Sequence, residues 1–158
     1  MKTVDIYTDG ACSGNPGIGG YCAILVYNNV EKIISGYEKN TTNNKMELLS
    51  VIKGLECLKE KCIVNVYSDS QYVVDAFNKG WIFNWHANGW RTSDKKEVKN
   101  IDLWKYLLKF SEQHVVNYIK VKGHSDNEFN NRCDKIAVSE YKKIQNETKE
   151  IENTDKIV

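Results

Sequence analysis

Proline is nearly missing from this chain: Pro16 is the only one in 158 residues. No Pro/Ser-rich linker and no internal repeat divides the sequence, and its length suits one compact domain rather than two. A domain of this size buries roughly two-thirds of the surface its unfolded chain exposes, so it folds without a metal or disulfide staple. Long apolar runs are missing too. The longest, Tyr21 to Tyr27, has the length of a strand and falls far short of the roughly 18 residues that a spanning helix needs. Met1-Lys2-Thr3-Val4 runs straight into a strand pattern without the apolar stretch of a signal peptide. The expectation is a self-contained, soluble, cytoplasmic monomer with no membrane partner.

Paired cysteines are also lacking. Cys12, Cys22, Cys57, Cys62 and Cys133 are odd in number and scattered, with no C-x-x-C pair, which disfavours a disulfide framework or a zinc knuckle. They read as free thiols in a reducing compartment, most of them serving as small buried apolar residues. A strong charge of one sign is absent as well. The net charge is +1, so composition alone announces no nucleic-acid partner. The distribution is uneven, however. Seven basic residues (Lys79, Arg91, Lys95, Lys96, Lys99, Lys105, Lys109) face three acids (Asp94, Glu97, Asp102) within one stretch, a weak sign of a basic patch.

What is present is an ordered series of elements. Thr3 to Thr8 alternates as a strand and ends at the turn dipeptide Asp9-Gly10. A glycine-dense loop, Gly14 to Gly20, leads to two more strands, Tyr21 to Tyr27 and Glu31 to Tyr37, joined by an Asn28-Asn29 hairpin turn. Beyond the polar cluster Asn40 to Asn44, Leu48, Val51, Ile52, Leu55 and Leu58 recur at helical spacing. Ile63 to Tyr67 is a fourth strand, and Ser68-Asp69-Ser70 opens a helix carrying Val73, Val74 and Phe77. After the aromatic segment Trp81 to Trp90 come a helix with Ile101, Trp104, Leu107 and Leu108 inward, and a fifth strand, Val115 to Val121. The last helix starts at the capping-box spacing Ser125 to Glu128 and buries Phe129, Cys133, Ile136, Ala137 and Tyr141. The order β-β-β-α-β-α-α-α-β-α implies an α/β domain: a five-stranded mixed sheet, an antiparallel meander followed by parallel strands, flanked by helices. The domain is placed at residues 1–142. Residues 143–158 are charged and polar and are expected to form a disordered tail.

Four carboxylates stand at informative places. Asp9 closes the first strand, where a turn aspartate is the ordinary reading. Glu47 lies in the first turn of a helix, three residues after Asn44, the spacing of a capping box. Asp69 stands where an N-cap is expected, and Asp134 flanks the stripe of the last helix beside Cys133. Singly, none marks a site. If the first and fourth strands are parallel neighbours, Asp9 and Asp69 emerge at one carboxyl edge of the sheet, where Glu47 and Asp134 could converge on them. Such a cluster needs hard cations to offset its repulsion. Oxygen-only ligands suit Mg2+ or Mn2+, and a two-metal carboxylate site is the usual device for phosphodiester hydrolysis.

Several strings together resemble a known family. Tyr7-Thr8-Asp9-Gly10-Ala11-Cys12-Ser13-Gly14-Asn15-Pro16-Gly17 resembles the opening signature of type 1 ribonuclease H. Thr41 to Leu48 is similar to its second motif, Tyr67 to Val73 to its third, and Val121-Lys122-Gly123-His124 with Asn131-Arg132-Cys133-Asp134 to its fourth. The resemblance spans about Thr3 to Ala137. It implies the ribonuclease H-like fold and endonucleolytic hydrolysis of the RNA strand of RNA–DNA hybrids, leaving 5′-phosphate and 3′-hydroxyl ends. The implied tasks are removal of RNA primers and R-loops. By the same resemblance Asp9, Glu47, Asp69 and Asp134 bind two Mg2+ ions, with Mn2+ able to substitute, and His124 assists proton transfer or product release.

The resemblance also implies contacts to substrate. Cys12 is adjacent to the site, Asn15, Asn43, Asn44 and Gln71 read the minor groove of the hybrid, where 2′-hydroxyls are accessible, and Thr42 and Asn100 hold a phosphate of the DNA strand. Trp81 to Arg91 matches the substrate-handling protrusion of the family, with Trp81 near the DNA strand and Trp85, Trp90 and Trp104 mainly packing. Where bacterial relatives often carry a Lys/Arg run, this chain has His86-Ala87-Asn88-Gly89, which implies weaker hybrid binding. Three other readings stay open: a non-catalytic hybrid-binding module, a DNA exonuclease or transposase core, and a module of a reverse transcriptase. The intact set of acids disfavours the first, and the groove-reading Asn and Gln residues disfavour the second.

Overall fold

The computed structural model describes residues 1–123 and 127–157, with side chains through residue 154. Its elements follow the expected order: β1 (Thr3–Cys12), β2 (Gly17–Tyr27), β3 (Val30–Thr41), α1 (Asn43–Glu56), β4 (Ile63–Ser68), α2 (Gln71–Asn78), α3 (Trp81–Ala87), α4 (Ile101–Glu112), β5 (Val115–Lys120) and α5 (Glu128–Ile157). The strands form one sheet in the order β3-β2-β1-β4-β5. β1 pairs antiparallel with β2 and parallel with β4, and β5 extends the parallel half. The β2–β3 hairpin turns through Asn28 and Asn29, both at positive φ (49° and 62°), the backbone of a tight two-residue turn.

Alternation along the central strands splits the core into two layers. Val4 and Ile6 of β1 and Ala23 and Leu25 of β2 join a large cluster with α1, α2 and α4, centred on the fully buried Trp104. The intervening residues Tyr7, Ala11, Cys22, Ile24 and Val26 meet Phe129, Cys133, Ile136 and Ala137 of α5 on the other face. Gly20 lets α5 come this close, because a Cβ there would run into the backbone of Ala137. Cys22, Cys62 and Cys133 are buried and all five thiols are free, as the scattered spacing implied. Among the described residues, no helix is long and apolar enough to cross a membrane.

Three local expectations are corrected. Asp9-Gly10 is not a turn: β1 continues to Cys12, with Asp9 opposite Cys22 and Gly10 opposite Tyr21. The glycine-dense segment is strand from Gly17 onward, with a register shift between Gly17 and Gly19. The segment beyond Lys142, expected to be disordered, continues α5 to Ile157. It contains no Gly or Pro and is rich in Glu and Lys, both good helix formers. The Thr148 and Thr154 hydroxyls donate back to the carbonyls of Ile144 and Glu150, each at 2.9 Å. From Asn146 to Thr154 every residue is exposed. At the start of α5, the Asn127 side chain accepts from the Asn130 amide at 3.2 Å, the bond of an N-cap. Ser125 of the expected capping box lies outside the described residues.

Candidate active site

The parallel pairing of β1 and β4 brings the carboxyl edge of the sheet into one cleft. The backbone register runs from Thr3↔Ile63 to Tyr7↔Tyr67, so Asp9 and Asp69 each follow the last rung by two residues. Glu47 arrives from α1. Gly10 permits this approach: a Cβ on it would overlap the backbone of Met46 and lie 2.5 Å from the Glu47 nitrogen. Local capping leaves the acids uncommitted. Thr42, not Asn44, caps α1, its hydroxyl oxygen accepting from Lys45 N at 3.3 Å, so Glu47 lies in the second turn and caps nothing. Ser70, not Asp69, caps α2, accepting from Val73 N at 3.3 Å.

Carboxylate oxygens of Asp9, Glu47 and Asp69 lie within 4.8 Å of one another. Asp134 of α5 lines the same cleft, about 260 Å³ in volume, but stands outside that tight trio. Asp9 is 6% exposed and Glu47 4%. Burial, then the Asp69 and Asp134 charges, push the Asp9 carboxyl up to about 8. Burial, then Asp9 and Asp69, hold Glu47 well above the usual carboxylate range. Asp9 Oδ1 accepts from Gly10 N at 3.0 Å, whereas Glu47 Oε2 is buried without a partner among the described residues. Such a crowd of hard oxygens, one of them orphaned, fits a divalent cation better than it fits itself.

Of the other expected residues that are described, two belong to this cleft and the rest lie outside its lining. Cys12 and Asn43 line it. Cys12 Sγ donates to the carbonyls of Gly14 (2.6 Å) and Thr41 (3.5 Å). Asn15 Oδ1 accepts from Asn43 N at 3.1 Å, tying the β1–β2 connection to the start of α1. Asn44 is exposed beside Asn43, and Gln71 is exposed at the start of α2, two residues past Asp69. Asn100, at φ 60°, donates its amide to Tyr72 Oη at 3.1 Å. Trp81 is 38% exposed under the Lys79 ammonium, 5.6 Å from its ring centroid. Trp85 and Trp90 are inward, and Trp85 packs edge-on against Trp104. His124 lies outside the described residues. One residue of the cleft was not anticipated: Asn130 of α5, which is 9% exposed and hydrogen-bonded to the carbonyls of Thr8 in β1 and Tyr67 in β4.

A three-stranded meander continued by parallel strands, with two acids just past the last β1–β4 rung and two from helices facing them, defines a class of carboxylate-site α/β domains suited to divalent cations. Within that class the family is clear. The family model for RNase H matches residues 1–142, and the chain belongs to that family. It is 60% identical over 142 residues to a protein named Ribonuclease H from Caldanaerobacter subterraneus subsp. tengcongensis, covering 90% of this chain and 93% of that one. It is also 60% identical over 143 residues to the Ribonuclease H of Acetivibrio thermocellus, covering 90% and 97%. Among solved structures, LC9-RNase H1, described as a type 1 RNase H with the type 2 active-site motif, superposes with a TM-score of 0.81. That pair is 27% identical, over 89% of this chain and 72% of the other. LC11-RNase H1, solved in complex with an RNA/DNA hybrid, shares the fold at a TM-score of 0.66 and 20% identity, covering 90% and 99%.

Proposed function

We propose that this chain hydrolyses the RNA strand of RNA–DNA hybrids endonucleolytically, using divalent cations held by Asp9, Glu47, Asp69 and Asp134. The observation that carries the reading is the buried trio Asp9, Glu47 and Asp69, with Asp134 on the same cleft. A module that only bound nucleic acid would gain nothing from acids facing phosphates, whose charge they repel. Two Mg2+ ions, or Mn2+ in their place, bound here would supply activation of a water and charge neutralisation at the leaving 3′-oxygen. The protein's own part is to hold these oxygens convergent and to keep the reacting phosphate in line with them. His124, by resemblance, moves a proton or speeds product release.

Selectivity for the hybrid rests on short polar groups around the cleft. Asn43 lines it and Asn44 and Gln71 stand exposed at the starts of α1 and α2, which supports reading them as donors and acceptors for 2′-hydroxyls and base edges of a minor groove. Asn15 orients Asn43 through its amide. The Thr42 oxygen accepts from Lys45 N, which leaves the hydroxyl hydrogen for a phosphate oxygen. Asn100 spends one amide hydrogen on Tyr72 and keeps the other for the same purpose. Trp81 beside Lys79 suits the DNA strand.

A panel of labelled duplexes of one sequence tests the substrate class: RNA–DNA hybrid, double-stranded RNA, double-stranded DNA and single-stranded RNA. The expected result is cleavage of the hybrid's RNA strand alone, with 5′-phosphate and 3′-hydroxyl products. Loss of a DNA strand, or equal cutting of double-stranded RNA, would refute it.

A further inference from the structure

The parallel ladder between β1 and β4 ends at Tyr7↔Tyr67, just where two like-charged carboxylates have to be held together. Beyond that rung no backbone pair joins the two strands, and mutual repulsion of Asp9 and Asp69 acts to spread them. Two side chains among the described residues span the gap, Thr8 from β1 itself and Asn130 from α5, and Asn130 alone reaches a carbonyl on each strand. The Asn130 Nδ2 amide donates to Thr8 O at 3.3 Å and to Tyr67 O at 3.1 Å, carbonyls on the two neighbouring strands. Both hydrogens of the amide are thereby used, and this sets its orientation: a flipped amide would face two carbonyl oxygens with a third. Its Oδ1 is buried without a partner among the described residues. Leaving an acceptor unsatisfied costs stability, and that cost is set against the two strand-bridging bonds of the Nδ2 amide.

We propose that Asn130 is a positioning residue for the acidic site: it supplies the rung missing from the β1–β4 ladder and so sets the spacing of Asp9 from Asp69. Thr8 adds a second, weaker tie, its hydroxyl donating to the same Tyr67 carbonyl at 3.3 Å. Asn130 sits one helical turn before Asp134 on α5. A single rigid helix therefore carries both the acid that faces the cleft from this side and the amide that gauges the two strands. The inference rests on the reading of Asp9, Glu47, Asp69 and Asp134 as cation ligands.

The test is Mg2+ binding to the substrate-free protein by titration calorimetry, beside kcat and KM on the hybrid, all well below each variant's Tm. Asn130→Ala is expected to weaken Mg2+ binding about 10–100-fold and to lower kcat by a similar factor, while KM changes less than about threefold. Asn130→Ser, which keeps one donor, falls between it and the parent. Wild-type Mg2+ affinity and kcat in a folded Asn130→Ala, with only Tm lowered, overturn the proposal. If Asn130→Ala does not fold, Thr8→Val decides: weakened Mg2+ binding supports the rung, and unchanged binding overturns it. Asp9→Asn runs as the control. Should it bind Mg2+ as the parent does, the cation reading fails and the inference with it. Should it lose binding while Asn130→Ala keeps it, the positioning role alone falls.

Discussion

Gly10 stands against the backbone of Glu47 with room for a hydrogen and none for a methyl group: a Cβ there would lie 2.5 Å from the Glu47 nitrogen. The contact is between the backbones of β1 and α1, so no side chain can swing aside to relieve it. Gly10→Ala is therefore expected to cost roughly 1–3 kcal/mol through overpacking. It should also push Glu47 away from Asp9 and reduce kcat on the order of 100-fold. Chemical denaturation and steady-state cleavage of the hybrid check the two effects separately. Wild-type kcat in this variant would mean that the close approach does not serve the site.

The acids weaken the fold that holds them. Asp9 has its carboxyl raised to about 8 by burial and by Asp69 and Asp134. A carboxyl raised on folding contributes stability that is present below its unfolded value and lost as pH rises through its folded one. Asp9→Asn should consequently stabilise the metal-free protein by on the order of 1 kcal/mol at pH 8, and the gain should fade toward pH 4. Melting curves in EDTA at the two pH values measure it. Added Mg2+ should raise the Tm of the parent and leave Asp9→Asn little changed.

His114 works in the opposite sense. It is buried, and its Nδ1 accepts the Cys62 amide at 3.1 Å, so the ring must be neutral there. Burial lowers its pKa from the ordinary 6.5. Its contribution is fully present above about pH 6.5 and is lost as pH falls through the lower folded value. Urea midpoints should therefore drop between pH 7.5 and pH 5 in the parent, and His114→Gln should flatten that dependence. An equal drop in both proteins would assign the acid sensitivity elsewhere.

The outer part of α5 is expected to be dispensable. The match to the family ends at residue 142, and residues from Asn146 to Thr154 are all exposed. A chain stopped after Lys142 should keep its hybrid cleavage within about twofold and lose less than about 1 kcal/mol of stability. A larger loss in either quantity would show that residues 143–158 contribute to the catalytic domain.

Much of this architecture was legible because pattern and packing agree. The alternation of Val4 and Ile6 in β1, the Asn28-Asn29 turn and the spacing of Leu48, Val51, Ile52 and Leu55 each point to the element the chain adopts. The convergence of Asp9, Glu47 and Asp69 followed from one topological condition, the parallel pairing of β1 with β4. What escaped is what tertiary contact overrides. Asp9-Gly10 reads locally as a turn, yet Gly10 is demanded by the backbone of α1. Asn44 and Asp69 have the chemistry of caps, but Thr42 and Ser70 take those roles and leave the acid edge clear. Asn130 gave no signal at all. A polar residue on a mostly polar helix looks like solvent-facing surface until the strands it bridges are known. The helical course of the last residues was missed because polarity was read as disorder, although no residue there breaks a helix.

The most direct measurement is cleavage of an end-labelled RNA–DNA hybrid by the parent and by Asp9→Asn, with Mg2+ and with EDTA, resolved on a sequencing gel. The account predicts internal cuts in the RNA strand by the parent with Mg2+, and an intact hybrid in EDTA and with Asp9→Asn. Cleavage that persists in EDTA or in Asp9→Asn, or an intact hybrid in every lane, would contradict it.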